Sequence, residues 1–299
     1  MLTGIHILLT YNCNFACDHC FLYSGHDSPG TFTLATLRKV FSEVQKIGTI
    51  EWIYFEGGEP FLFYPLMLRG LKMARDFGLK TGVVSNAYWA ESVEDAELWL
   101  EPFVELEVSE LSLSDDHYHH ENIDKSPVKY AVKAAEKMGI STGKICIEKP
   151  KIVHMSDEKL DKDITLIEGN TMFRGRAAEK LVHGLPTRHP EEFNACSHEK
   201  LDEPERVHID PYGYVHLCQG IVMGNIHKRP LSELIFNYES SQHPIAGPLV
   251  KGGPAQLAWD NNIMLASGYV DECHMCFEVR KALIDKFPEY LAPTQVYGL

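Results

Sequence analysis

The sequence predicts an α/β protein built on a parallel sheet, open or closed into a barrel, followed by a smaller irregular C-terminal part. Three observations carry this prediction. Short apolar runs alternate with amphipathic helical patterns through the first half of the chain. The connections between them are short, as in consecutive strand–helix units. After about residue 185 that rhythm stops, and prolines become dense (Pro186, Pro190, Pro204, Pro211, Pro230, Pro244, Pro248 and Pro254).

Taken in order, residues 4–11 read as the first strand. Residues 34–47 form a helix with Leu34, Leu37, Val40, Phe41, Val44 and Ile47 on one face. A strand at 50–55, a helix at 66–77, a strand at 79–85 and a helix at 93–100 follow. Residues 104–113 read as a strand, because Val104, Leu106 and Val108 alternate. A helix over 128–138 stops at Gly139, and strands at 140–147 and 164–167 complete six strand–helix alternations. Beyond them, 207–210 and 214–218 flank the turn Pro211-Tyr212-Gly213 as a hairpin, and a short helix at 277–286 closes the chain. No internal repeat and no low-complexity tract is visible. The expected organisation is a domain over residues 1–185 and a second over 186–299.

The 299 residues are 44% hydrophobic and 23% charged, a balance that favours a packed core over disorder. A net charge of −14, from 28 basic and 42 acidic residues, leaves no basic stripe for phosphates, so nucleic acid is not expected as a partner. The apolar run near the start is too short for a signal peptide or a membrane span. A cytoplasmic location without membrane contact is therefore expected. Eight cysteines in a reducing compartment point to metal ligation or catalysis before disulfides.

Cys13-Asn-Phe-Ala-Cys17-Asp-His-Cys20 puts three thiols on one loop just after the first strand. Three thiolates hold three corners of a [4Fe–4S] cube and leave one iron open to an outside ligand. A structural zinc site completed by His19 or His26 is the alternative, although zinc sites more often pair two C-x2-C units. After the second strand comes Gly57-Gly58-Glu59-Pro60, where bare backbone lets an ammonium group approach carbonyls and Glu59 adds negative charge. An ordinary turn would use the same residues.

C-x3-C-x2-C after the first strand, with Gly-Gly-Glu-Pro one strand later, resembles the radical S-adenosylmethionine superfamily. That resemblance implies a partial (β/α)6 TIM-like barrel over about the first 180 residues. It also implies a [4Fe–4S] cluster on Cys13, Cys17 and Cys20, with S-adenosylmethionine chelating the open iron. Reductive cleavage then gives a 5′-deoxyadenosyl radical that takes hydrogen from a substrate. Gly57, Gly58, Glu59 and Pro60 would meet the methionyl amino group. Ser85 and Asn86, at the end of the third strand, and Ser112 and Ser114, at the end of the fourth, resemble positions that contact the cofactor's carboxylate or ribose.

Cys196, Cys218, Cys273 and Cys276 are chemically able to hold zinc or an iron–sulfur cluster. Gly213-x4-Cys218 on a hairpin, followed by Gly224-Asn225-Ile226, resembles the auxiliary-cluster extensions called SPASM and twitch domains. Arg174-Gly175-Arg176-Ala177 resembles the Gly-Arg-Ala segment that often precedes them. With fewer cysteines than the SPASM form, the chain is expected to carry one auxiliary [4Fe–4S] cluster, as in the twitch form.

Asp115, Asp116, His117 and His119 form a concentrated polar group after the fourth strand, suited to proton transfer or to orienting a substrate, unless they only form a solvated loop. Cys146 reads as a buried structural thiol, or as a hydrogen donor if it points into the barrel mouth. The expected reaction is oxidation or rearrangement of a small polar molecule, fed by an electron donor such as flavodoxin or ferredoxin. A peptide substrate for cross-linking, oxidation or epimerisation is the alternative; with the first ligand at residue 13, it is expected to need a separate carrier. A non-catalytic zinc or iron–sulfur interaction module is the reading from another class.

Overall fold

A computed structural model of the chain describes the backbone of residues 1–157 and 162–299 and the side chains of residues 1–154 and 166–299. The elements run β1 (Gly4–Thr10), α1 (Leu34–Ile47), β2 (Trp52–Gly57), α2 (Tyr64–Asp76), β3 (Lys80–Ser85), α3 (Val93–Glu105), β4 (Glu110–Ser114), α4 (Val128–Met138) and β5 (Thr142–Ile145). Each strand from β1 to β5 pairs in parallel with the next. Ile5, Ile7, Leu8 and Leu9 of β1 are fully buried, as expected of a strand covered on both faces. α1 starts where the Thr33 side chain accepts from Thr36 N and ends at left-handed Gly48. Its face of Leu37, Val40, Phe41, Val44 and Ile47 packs into the core.

Three expectations change. Residues 164–167 do not add a sixth parallel strand. They lie in β7 (Lys162–Glu168), which pairs antiparallel with β6 (Lys151–Asp157) as a separate ribbon. After α5 (Arg176–Lys180), the strand parallel to β1 on its other side is β8 (Arg206–Ile209). β9 (Tyr214–Cys218) and β10 (Ile221–Asn225) extend that edge antiparallel, giving the order β10-β9-β8-β1-β2-β3-β4-β5.

Residues 104 and 105 belong to α3, not to a strand. Ala96, Leu100 and Phe103 bury a helical face, and that period wins over the alternation of Val104, Leu106 and Val108. The C-terminal part also holds α6 (Leu231–Phe236) and α7 (Ala246–Asp260), the latter broken at Gly252 and Gly253. The last helix, α8 (Glu272–Ala282), starts earlier than its apolar pattern suggested, because Asp271 caps it by accepting from His274 N at 2.7 Å. Cys273 and Cys276 thereby sit three residues apart on one helix face. Among the described residues, no helix is long and apolar enough to cross a membrane.

α2 packs on β2 at Gly70, where an added Cβ would lie 2.4 Å from the Phe55 ring. Alanine would gain about 1 kcal/mol of helix propensity but incur about 1–3 kcal/mol of overpacking. Gly70→Ala is expected to lower the thermal midpoint by about 2–4 °C in scanning fluorimetry. An unchanged or higher midpoint would mean that Phe55 yields at no cost.

Candidate active site

The site starts where β1 ends. Gly58 N donates to Thr10 O at 2.7 Å and Glu59 N to Asn12 O at 2.9 Å, so the end of β2 runs along the entry to the cysteine loop. A Cβ on Gly58 would lie 2.0 Å from Asn12 O, and one on Gly57, at φ 134°, 2.5 Å from Thr10 O. Only glycine permits this approach. The loop closes on itself through Cys13 N to Gly25 O (3.0 Å) and Cys20 N to Cys17 O (3.1 Å). Arg176 clamps it from outside: its guanidinium donates to Cys17 O at 2.6 Å and Ser24 O at 2.8 Å, and its backbone N to Cys20 O at 2.9 Å.

Glu59 is fully buried and does not line the cavity that Gly57 and Gly58 line. Its carboxylate accepts from Ser85 Oγ (2.9 Å), Asn86 N (2.8 Å) and Phe61 N (3.1 Å), tying the end of β2 to the end of β3. Asn86 Nδ2 then donates to Asn14 Oδ1 at 2.8 Å, which returns to the cysteine loop. Pro60 is buried at the start of a short turn of helix.

The sequence motifs meet in a cavity of about 300 Å³ at the C-terminal ends of the parallel strands. Cys13, Cys17, Cys20, Gly57, Gly58, Ser85, Asn86, Ser114 and His119 all line it. Ser112 is buried deeper on β4, donating to Glu110 Oε1 at 2.8 Å. Of the polar group after β4, only His119 faces the cavity. Asp116 holds it, with His119 Nδ1 2.9 Å from Asp116 Oδ1; Asp116 also accepts from Tyr118 N and Ile147 N. Burial raises the Asp116 carboxyl, but the His119 contact outweighs it and holds the group down at about 2. Asp115 pairs instead with Lys144 at 2.7 Å, and His117 is exposed.

Cys146 is exposed, not buried, and does not line the cavity; its neighbours Ile145 and Ile147 do. Sequence reasoning missed the apolar wall of Phe15, Phe21, Ile145, Ile147 and Met172, and it missed Arg174. Arg174 stood in a segment already singled out, which was the available signal; the apolar wall gave none.

Residues 7–165 match the family described as the Radical SAM superfamily, which is more than half of the chain. The chain belongs to this superfamily. Membership implies a [4Fe–4S] cluster together with S-adenosylmethionine. YydG of Bacillus subtilis (strain 168), provisionally named a peptide biosynthesis protein, is 28% identical over 133 residues, 44% of this chain and 42% of YydG. A S-adenosylmethionine-dependent nucleotide dehydratase of Selenomonas ruminantium is 28% identical over 82 residues, 27% of this chain and 29% of the dehydratase. The matched segments thus span less than half of either relative. The crystal structure of BtrN in complex with AdoMet and 2-DOIA shares the fold at a TM-score of 0.54 and 14% identity, over 79% of this chain and 83% of BtrN.

The donor set at the N-terminal loop fits the cluster. Burial pushes the Cys13 thiol up to about 12 and Cys17 upward too, so these sulfurs become thiolates only against a positive centre. A second set of cysteines lines another cavity. Cys196 from a loop, Cys218 from the end of β9, and Cys273 and Cys276 from α8 line one small cavity with Arg174, Glu199 and Arg280. Arg174 Nη1 lies 3.1 Å from Cys218 Sγ, and buried Arg280 donates to Gln219 O at 2.7 Å and Cys276 O at 3.2 Å. Burial raises the Cys196, Cys273 and Cys276 thiols as well, Cys276 to about 11. Four such thiols beside two buried guanidinium groups fit an anionic thiolate–metal centre.

Burial raises the Glu59 carboxyl from 4.5 to about 7, against three hydrogen bonds that pull it down. Between these values the folded chain keeps a proton that the unfolded chain has released. The contribution is therefore fully present below about pH 4.5 and is lost as pH rises through about 7. Glu59→Gln does not titrate, and it turns an amide donor toward Ser85 or Asn86 N–H. It is expected to destabilise by about 1–3 kcal/mol near pH 5.5 and by less near pH 8. Thermal midpoints of both proteins at the two pH values test this; a deficit that grows with pH would contradict it.

Proposed function

We propose that this enzyme abstracts hydrogen from a polar substrate held at the cavity mouth beside His119, for net oxidation or rearrangement. The observation that supports this most directly is the convergence of three thiols, Gly57-Gly58, Ser85-Asn86, Ser114 and His119 on one cavity. Cys13, Cys17 and Cys20 would hold the cluster, and the Gly57-Gly58 backbone with Ser85, Asn86 and Ser114 would hold the polar groups of S-adenosylmethionine. When bound, cluster and cofactor together supply reductive cleavage of the cofactor to a hydrogen-abstracting species. Phe15, Phe21, Ile145, Ile147 and Met172 keep water from that species. Asp116 fixes His119 through Nδ1 and leaves Nε2 to orient a substrate or to take its proton.

Residues 1–185 would do this chemistry, while residues 186–299 would carry one auxiliary [4Fe–4S] cluster on Cys196, Cys218, Cys273 and Cys276. Four protein thiolates would leave such a cluster closed, so its role would be to accept an electron from the substrate radical, completing a two-electron oxidation. Arg174 lines both cavities and would couple them electrostatically. A flavodoxin or ferredoxin would supply the reducing electron, in the cytoplasm that free thiols favour.

A peptide substrate is the second reading. It rests on the name of YydG and on a wide groove of about 730 Å³ that shares Asn170 and Met172 with the cofactor cavity.

Anaerobic reconstitution with reductant and S-adenosylmethionine is expected to yield 5′-deoxyadenosine by mass spectrometry, and Cys17→Ala to abolish it. Cys218→Ala is expected to lose about half of the bound iron and still cleave the cofactor. Unchanged iron, with zinc present in the wild type and lost from Cys218→Ala, would assign the second centre to zinc. No cofactor cleavage by a fully loaded wild type would leave the interaction-module reading.

A further inference from the structure

We propose that His6, Glu56 and His208 form a mononuclear site for a divalent transition-metal ion, zinc or ferrous iron, separate from both cysteine sets. The three residues come from adjacent strands, β1, β2 and β8. His6 is paired in register with His208, and Glu56 with Leu8, two residues along β1 from His6. By strand alternation His6 and Leu8 share one face, the face on which Leu8 and Glu56 line the cofactor cavity.

Distances favour a metal over a proton. His6 Nδ1 lies 3.3 Å from Glu56 Oε1, and His208 Nε2 lies 3.2 Å from the same oxygen. All three atoms are within 4.8 Å of one another. Ligands about 2.1 Å from a tetrahedral ion sit roughly 3.4 Å apart, close to these spacings. Charged N–H···O bonds would draw in to about 2.7–2.9 Å. His6 Nδ1 and Glu56 Oε1 are also buried with no hydrogen-bond partner, which is costly for polar atoms unless something lies between them.

The chemistry agrees. Two imidazoles and one carboxylate, with no thiolate, suit zinc or ferrous iron and leave coordination positions open. Tyr54 stacks on His6 at 4.8 Å and so fixes that ring. Because Glu56 belongs to the cavity wall, an ion held here would neighbour the place where the cofactor binds.

The test uses cluster-loaded enzyme incubated with zinc and then gel-filtered. Wild type is expected to retain about one zinc per chain by mass spectrometry, with zinc-edge X-ray absorption showing only nitrogen and oxygen neighbours at about 2.0–2.1 Å. His6→Gln and His208→Gln should each reduce retained zinc by about tenfold or more while iron content stays at the wild-type level. No zinc on the wild type, zinc bound through sulfur, or full retention in His208→Gln would overturn the proposal. Should a variant lose its iron and so its fold, the wild-type absorption spectrum alone decides, because the ligand atoms are read directly.

Discussion

The backbone of Gly57 and Gly58 lies against that of Thr10 and Asn12 so closely that no side chain fits between them. Most of the active site follows from this contact. It carries the pairing of β1 with β2 past the sheet and into the cysteine loop. It also fixes where Glu59 enters the core. Glu59, desolvated and unable to find water, takes its partners from Ser85, Asn86 and Phe61, which sets the end of β3 relative to β2. Asn86 closes the circuit at Asn14. Three strand ends and the thiol loop are thus held by main-chain geometry and one buried carboxylate, with little left to flexible side chains.

The loop still needs an outer wall, and the chain supplies it from about 160 residues downstream. Gly175, at φ 60°, brings its backbone onto Phe21, where a Cβ would lie 2.4 Å from Phe21 Cα. Arg176 then donates three hydrogen bonds into the loop. Arg174, two residues earlier, turns the other way toward Cys218 and Glu199. Arg174 and Arg176, on either side of Gly175, therefore serve the two thiol sets, so one short segment contacts both sites.

Much of this was legible because period and spacing are local. α1 and α4 were readable to the residue, since an amphipathic stripe and a terminal glycine mark each. The three-cysteine loop and Gly57-Gly58 declared the family because their chemistry tolerates few substitutes. What sequence could not give was direction and partnership. Glu59 reads as a ligand-facing charge, yet hydrogen bonds formed only on folding turn it inward. Cys146 falls between two residues that face the cavity, and alternation sends it to solvent. The strand expected at 104–113 holds only from Glu110; its start failed where two periods overlapped, and burial of Phe103 decided between them. His6 and His208, about 200 residues apart, carry no local signal at all.

The displaced sixth strand has the largest consequence. A strand beside β5 would have continued the barrel wall and left residues 186–299 to hang from a linker. β8 instead pairs with β1, the strand that leads into the thiol loop, and β9 carries Cys218 to its end on the same sheet. Buried contacts reinforce the joint: Tyr11, just past β1, donates to Asp210 Oδ2 at 2.9 Å, and His216 of β9 packs 3.4 Å from the same oxygen. The separation of the two thiol sets is consequently fixed by strand pairing and not by a hinge. If both thiol sets hold clusters, as proposed, electron transfer between them would depend on a constant distance, and a shared sheet supplies one that a flexible connection could not.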